Sequence, residues 1–177
     1  MNVYLCVEKT KKYSALKPKV NEMSEPIALY AYPNTFFDLL QNILGGKKAV
    51  PHNFENEMDL VRQSEKGIKM ISVKSVSDFL GISLEKMSQL LNVSLRTFQR
   101  KKEQDIMSAS ISQKTIDLAE VAAKGMEVFG DKAIFNSWLT EEVKSLGNKK
   151  PIELLNTSTG TRLVMQTLGR LQYGVYA

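Results

Sequence analysis

The chain has little from which to build a catalytic centre. Its 177 residues include one cysteine, Cys6, and one histidine, His52. A lone thiol cannot close an internal disulfide, and neither residue has the companions that a zinc site or a nucleophile–base pair needs. No Gly-rich phosphate loop is present. The sequence therefore predicts no catalytic residue, no metal, no cofactor and no enzyme activity. His52, in the stretch PHN, is expected in a surface loop. Long apolar runs are also missing. The N-terminal NVYLCV is short and followed by lysines, so it lacks a signal-peptide core, and nothing approaches the roughly 20 residues of a membrane span. These absences predict a cytoplasmic protein that avoids membranes.

What remains is an ordinary globular composition, 43% hydrophobic and 24% charged, with a net charge of +5. The positive excess is unevenly placed. Residues 1–67 hold nine basic and eight acidic groups, and 106–177 hold eight and seven, whereas 68–105 hold seven and four. The middle segment is thus the one suited to a polyanionic partner.

The periodicities predict a mostly α fold. NVYLCVEK and PIALYAYP near the start could each form a short strand or an arm. Asn34 can cap a helix bearing Phe36, Phe37, Leu39, Leu40, Ile43 and Leu44, ended by Gly45-Gly46, with residues 47–56 as a connector. Met58, Leu60 and Val61 begin a helix that Gly67 ends. Val73, Val76, Phe79 and Leu80 form a stripe stopped by Gly81, and Leu84, Met87, Leu90 and Leu91 repeat it after the cap candidate Ser83. A long helix from about Ser112 ends at Gly130, and Asp131 caps another bearing Ile134, Phe135, Trp138 and Leu139. Gly147 and Pro151 then mark a helix end and a helix start, Gly160 a tight turn. Leu163, Val164, Thr167, Leu168 and Leu171 form the stripe of a last helix, ended by Gly174.

SLEKMSQLLNVSLRTFQRKK has helix-turn-helix spacing. Ser88 is small where a second helix must approach, Asn92 tolerates the left-handed backbone of the turn, Val93 plugs it, and Phe98 anchors the second helix. Setting Leu95 and Phe98 inward turns Arg96, Thr97, Arg100 and Lys101 outward. Arginine can fork to guanine, while threonine and lysine can hold phosphates. The candidate DNA-binding residues are Ser94, Arg96, Thr97, Gln99, Arg100 and Lys101, and a helix pair of this kind implies a homodimer or higher oligomer on paired half-sites.

The C-terminal order is WL, an acidic turn, LG, a proline opening PIELL, the glycine of TSTG, and a terminal LGRLQYGVYA. This resembles the toxin-binding domain of the Xre/MbcA/ParS-type antitoxins, partners of RES-domain toxins. The resemblance continues upstream to about Asp59, where RTFQRKK and SISQKTIDLAEVA are similar to the family's helix-turn-helix and its sequel. Gln99-Arg100-Lys101 departs from the family's paired arginines, and Asn92 stands where it has glycine.

The resemblance implies three segments: an N-terminal arm or subdomain (1–58), an Xre-like helix-turn-helix domain (59–108) and a toxin-binding domain (109–177). It implies an antitoxin that covers the NAD site of a RES-domain toxin with its extreme C-terminus, here Arg170, Tyr173, Gly174, Val175, Tyr176 and Ala177, and that binds operator DNA to regulate its operon. Tyrosine can stack where a nicotinamide or adenine would lie, and the terminal carboxylate can pair with arginines. The alternative is a stand-alone helix-turn-helix regulator whose C-terminal domain dimerises or senses a ligand.

Overall fold

Serine, threonine and aspartate open five of the ten α-helices among the described residues, and they do so through side-chain oxygens placed on orphan backbone donors. The computed structural model describes residues 36–174. The two N-terminal apolar runs, the Asn34 cap and Val175, Tyr176 and Ala177 lie outside the described residues. The elements are α1 (Phe36–Ile43), α2 (Gly46–Ala49), α3 (Glu57–Lys66), α4 (Met70–Leu80), α5 (Leu84–Leu90), α6 (Leu95–Gln99), α7 (Ala109–Phe129), α8 (Lys132–Thr140), a 3₁₀ turn (Lys144–Leu146), α9 (Pro151–Leu154) and α10 (Ser158–Gln172). Among the described residues there is no strand, only two isolated bridges, Lys69 with Ile106 and Val143 with Lys149. No helix there is long and apolar enough to cross a membrane. The mostly α fold, a helix-turn-helix bundle followed by a small helical region, is as the sequence predicts.

Ser83, Ser94, Ser108, Asp131 and Thr157 each accept a hydrogen bond from the backbone N–H three residues on. Such a cap stabilises a helix by about 1 kcal/mol. The predicted helix ends at Gly67, Gly81 and Gly130 are found in place.

The spine is α7, against which α1, α3, α4, α8 and α10 all pack. Its buried face includes the small residues Ala119, Ala122, Ala123 and Gly125, where neighbours can come close. At Gly125 a side-chain carbon would fall within the Phe135 ring of α8. Phe135 in turn lies 6.2 Å from the Phe129 ring and 6.4 Å from Trp138, which is half-buried.

Four sequence expectations change. The spine begins at Ala109 rather than near Ser112, because Ser108 supplies the cap. Ser112 lies inside the helix, where its buried hydroxyl donates to the Ser108 carbonyl (2.8 Å) and accepts from Ile68 N–H (2.9 Å). Residues 47–56 do more than connect. They hold all but the first residue of α2 and bury Ala49, Val50 and Phe54, while the buried Gln41 amide donates to the carbonyls of Val50 (2.8 Å) and His52 (3.1 Å). The His52 side chain itself is exposed, as expected.

The third change concerns Gly160. It lies within the first turn of α10 instead of in a turn before it, and a side chain there would strike the backbone of Leu154. The fourth is Leu163, placed in the buried stripe of the last helix by the sequence. It is 43% exposed, because the inward face is Gly160, Val164, Thr167 and Leu168.

Candidate functional site

The turn between α5 and α6 is tightly held. Val93 N–H donates to the Ser88 carbonyl (2.9 Å), and the Ser88 hydroxyl donates to Glu85 (2.7 Å). Asn92 takes φ 54°, the left-handed backbone expected of it. With its amide oriented to satisfy both groups, it donates to the Gln89 carbonyl (3.3 Å) and accepts from Lys114 Nζ (2.7 Å). Lys114 belongs to the spine, so the turn is tied to α7.

Helix α6 is five residues long and is anchored by Phe98, only 2% exposed. Arg96, Thr97, Gln99, Arg100 and Lys101 are all exposed, and so is the cap Ser94. Arg100 is the helix's last cap and Lys101 stands one residue beyond it. The Ser94 and Thr97 hydroxyls lie 2.8 Å apart and hydrogen-bond each other. After α6 the chain folds back on α4, whose first N–H groups at Met70 and Ile71 donate to the carbonyls of Asp105 (2.9 Å) and Glu103 (3.0 Å). Lys74 and Glu103 pair across that contact at 3.2 Å. The sequence-predicted cationic residues are therefore gathered on one short, braced segment. Lys102, also exposed, extends the segment and was not among the predicted residues.

The C-terminal helix is different. Val164, Thr167 and Leu168 are buried on the spine. Arg170 is exposed and Tyr173 is 79% exposed. Tyr173 N–H closes the helix on the Gly169 carbonyl (3.3 Å), and Gly174 follows at φ 66°, a left-handed conformation that suits glycine and redirects the backbone. Lys124 on α7 donates to Gln172 Oε1 (2.6 Å) and Glu127 Oε2 (2.9 Å), which pins the last turn to the spine. Sequence periodicity had no way to find Lys124, since its partner lies 48 residues away.

The regions also meet through α8. Asn136 Nδ2 donates to the Phe79 carbonyl (3.1 Å) and Lys132 Nζ to the Asp78 carbonyl (3.2 Å), both in the last turn of α4. Lys132 also sits 5.0 Å above the Phe79 ring. The cation complements the negative end of the helix, and the amide satisfies a carbonyl in its last turn. On the spine, burial pushes the Glu120 carboxyl up to about 7, with the negative charges of Asp117 and Glu57 adding to the effect. Burial also raises Asp117, against the opposing hydrogen bond from Gln113 and the charge of Lys114.

Comparison with known proteins matches these two regions separately. Residues 59–120 match the family model described as the antitoxin Xre-like helix-turn-helix domain. Residues 124–174 match the antitoxin Xre/MbcA/ParS C-terminal toxin-binding domain. Among curated proteins, "Antitoxin Xre" of Yersinia enterocolitica is 25% identical over 120 residues, covering 67% of this chain and 81% of that protein. The "Prs ADP-ribosylating antitoxin" of a Sphingobium species is 25% identical over 130 residues, covering 68% and 82%. A chain of the solved M. tuberculosis MbcT-MbcA toxin-antitoxin complex is similar at 23% identity and a TM-score of 0.47, over 61% of this chain and 96% of that one. The two family matches occur in order, together span more than half of the sequence, and meet within the single helix α7. The chain belongs to the Xre/MbcA/ParS family of antitoxins of toxin–antitoxin systems, with an Xre-type helix-turn-helix.

Proposed function

We propose that this antitoxin neutralises a RES-domain, NAD-consuming toxin in the cytoplasm by laying its C-terminal residues over the toxin's active site. In this reading Tyr173 and Tyr176 fill the place of cofactor rings, Gly174, Val175 and Ala177 let the backbone enter closely, and Arg170 makes the ionic contact. The chain itself contributes no catalytic group. The observation that carries the reading is the end of the toxin-binding match at residue 174, where α10 delivers an exposed tyrosine and then a left-handed glycine. Aromatic side chains that become buried on binding commonly dominate binding energy.

The test is to delete Tyr173 to Ala177 and co-express the shortened antitoxin with the proposed RES-domain toxin. Growth and cellular NAD should collapse as if no antitoxin were present, while folding and DNA binding persist. Full protection by the shortened chain overturns occlusion by the tail.

The same chain, in this proposal, binds operator DNA through Ser94, Arg96, Thr97, Gln99, Arg100 and Lys101 and so regulates its own operon. Support comes from the exposure of all six and from the net positive charge of the segment. One short helix gives little affinity alone, so the binding form is a homodimer or higher oligomer. A clean monomer in sedimentation at working concentration, with no toxin present, counts against that form.

A further inference from the structure

A threonine carries two unlike groups on one carbon, a hydroxyl that can hold a phosphate and a methyl that can meet only an apolar group. At Thr97 the hydroxyl is already engaged. Its Oγ1 lies 2.8 Å from Ser94 Oγ, the same oxygen that caps α6 by accepting from Thr97 N–H (3.2 Å). Whichever hydroxyl donates in this pair, the Thr97 oxygen is turned back onto the start of its own helix. Threonine in a helix divides between two χ1 wells, and the contact with Ser94 selects one of them. The residue is exposed, so its γ-methyl is the part left for a partner.

Thr97 also stands where bases are read. Ser94 is the N-cap, so Leu95, Arg96 and Thr97 make the first turn of α6. In helix-turn-helix proteins the N-terminal residues of the second helix reach base edges in the major groove. Of these three, Leu95 is half-buried and Arg96 is long and many-jointed, whereas Thr97 is short, exposed and held. The backbone beneath it is braced by Val93 N–H on the Ser88 carbonyl, by the Asn92 amide on Lys114, and by the buried ring of Phe98. A short side chain on a fixed backbone can touch only a group that projects toward it. In the major groove the apolar group that does so is the C5-methyl of thymine.

We infer that Thr97 is a specificity-determining residue that reads a thymine through its methyl group, with Ser94 as the residue that positions it. The inference rests on the proposal that α6 reads operator DNA. It divides the outer face by chemistry. Arg96 and Arg100 supply charge and hydrogen bonds, and Thr97 supplies an apolar contact that carries sequence information without either. Loss of one thymine methyl from such a contact should weaken binding about fourfold in each half-site.

The experiment uses the full chain to select binding duplexes from a random pool, then replaces each thymine of the selected site by deoxyuridine, which lacks only the C5-methyl. The affinity ratio between the two duplexes is measured for the parent, Thr97→Val and Thr97→Ser. Valine keeps a methyl in place and removes the hydroxyl, and serine does the reverse, both at an exposed site where folding should be unaffected. One position per half-site should show the fourfold ratio in the parent, a similar ratio in Thr97→Val, and none in Thr97→Ser. Ser94→Ala should lower the ratio, and adding Thr97→Val should restore it, because valine presents a methyl in either well. A ratio untouched by Ser94→Ala would overturn its positioning role. A ratio lost in Thr97→Val, or kept in Thr97→Ser, would overturn Thr97 as the reader of the methyl. A selected site without thymine, or one indifferent to every replacement, would overturn the thymine contact and leave α6 as a DNA-reading helix. A pool in which no sequence is enriched would remove the DNA reading itself, and this inference with it.

Discussion

Helices α6 and α10 are the two exposed functional candidates of this antitoxin, and they are built on different physics. Helix α6 has five residues, one deeply buried anchor in Phe98, and an outer face of guanidinium, amide and hydroxyl groups. Helix α10 has fifteen, is embedded through Val164, Thr167 and Leu168, and exposes a leucine and a tyrosine. A short cationic segment suits a partner of uniform negative charge and gives salt-sensitive binding. A long ridge with apolar anchors suits a protein groove, where desolvated side chains supply most of the energy. Both hang from α7. Lys114 of the spine holds the Asn92 turn and Lys124 holds Gln172, ten residues and about 15 Å apart along one helix. Two surfaces of unlike chemistry thus share one rigid mount.

The largest effect that can separate them is expected at Gly160. A methyl group there would overlap the Leu154 backbone, which cannot rotate aside, so α9 and α10 must part. Gly160→Ala should cost roughly 3 kcal/mol, at the upper end of overpacking penalties, lowering the melting temperature by about 5 °C or more. Toxin binding should fail before DNA binding does. Gly169→Ala is the control, since nothing lies within 4 Å of the added carbon, and alanine there is the better helix former. Equal melting of Gly160→Ala and the parent would show that the α9–α10 junction gives way cheaply.

Next in size is the cationic helix. Removing Arg96 and Arg100 together should cost about 1–3 kcal/mol for each that reads a base. Where they hold phosphates instead, the salt dependence should flatten by about one unit of slope per arginine. Mobility shifts of the promoter fragment over a salt series measure both, and toxin neutralisation should be unchanged. A double variant that shifts the fragment as the parent does would sink the assignment of α6 as the DNA-reading element.

Much of this contrast was legible in the sequence, and the exceptions share a cause. Helix existence and type followed from apolar spacing, and Ser83, Asp131, Gly67 and Gly81 sit at the boundaries that their backbone chemistry suggests. Phe98 was recognisable as an anchor because it falls on the inward step of the second helix. What periodicity could not reveal is tertiary. Leu163 looks like a core residue until Gly160, having no side chain, draws the other side of the helix against Leu154. Ser112 looks like a helix start until Ile68 is found to need its hydroxyl. The apolar members of 47–56 are too few for a pattern, yet Val50 and Phe54 are buried. Lys124, Lys132 and Asn136 act across 48 to 57 positions of sequence, beyond the reach of any local signal.

The smallest effect probes the shared mount itself. Glu120 lies on α7 between Lys114 and Lys124, and its carboxyl is raised from an ordinary 4.5 to about 7 by burial first, then by Asp117 and Glu57. The folded chain therefore holds this proton more tightly than the unfolded one. The resulting stability is fully present below pH 4.5 and declines as pH rises through 7. Glu120→Gln mimics the protonated form, so it should match the parent in acid and exceed it at pH 8. The gain should be on the order of 1 kcal/mol once solvent screening of this half-buried group is allowed for. Denaturant midpoints at the two pH values measure it. Since the half-buried carboxylate lies between the two tethers, alkaline pH should loosen the Asn92 turn and the Gln172 end together. Hydrogen exchange should then show matched losses of protection in α6 and α10, both relieved by Glu120→Gln. Loss confined to one helix would mean that α7 does not bind the two surfaces into one unit, and that the family's two domains open independently despite sharing it.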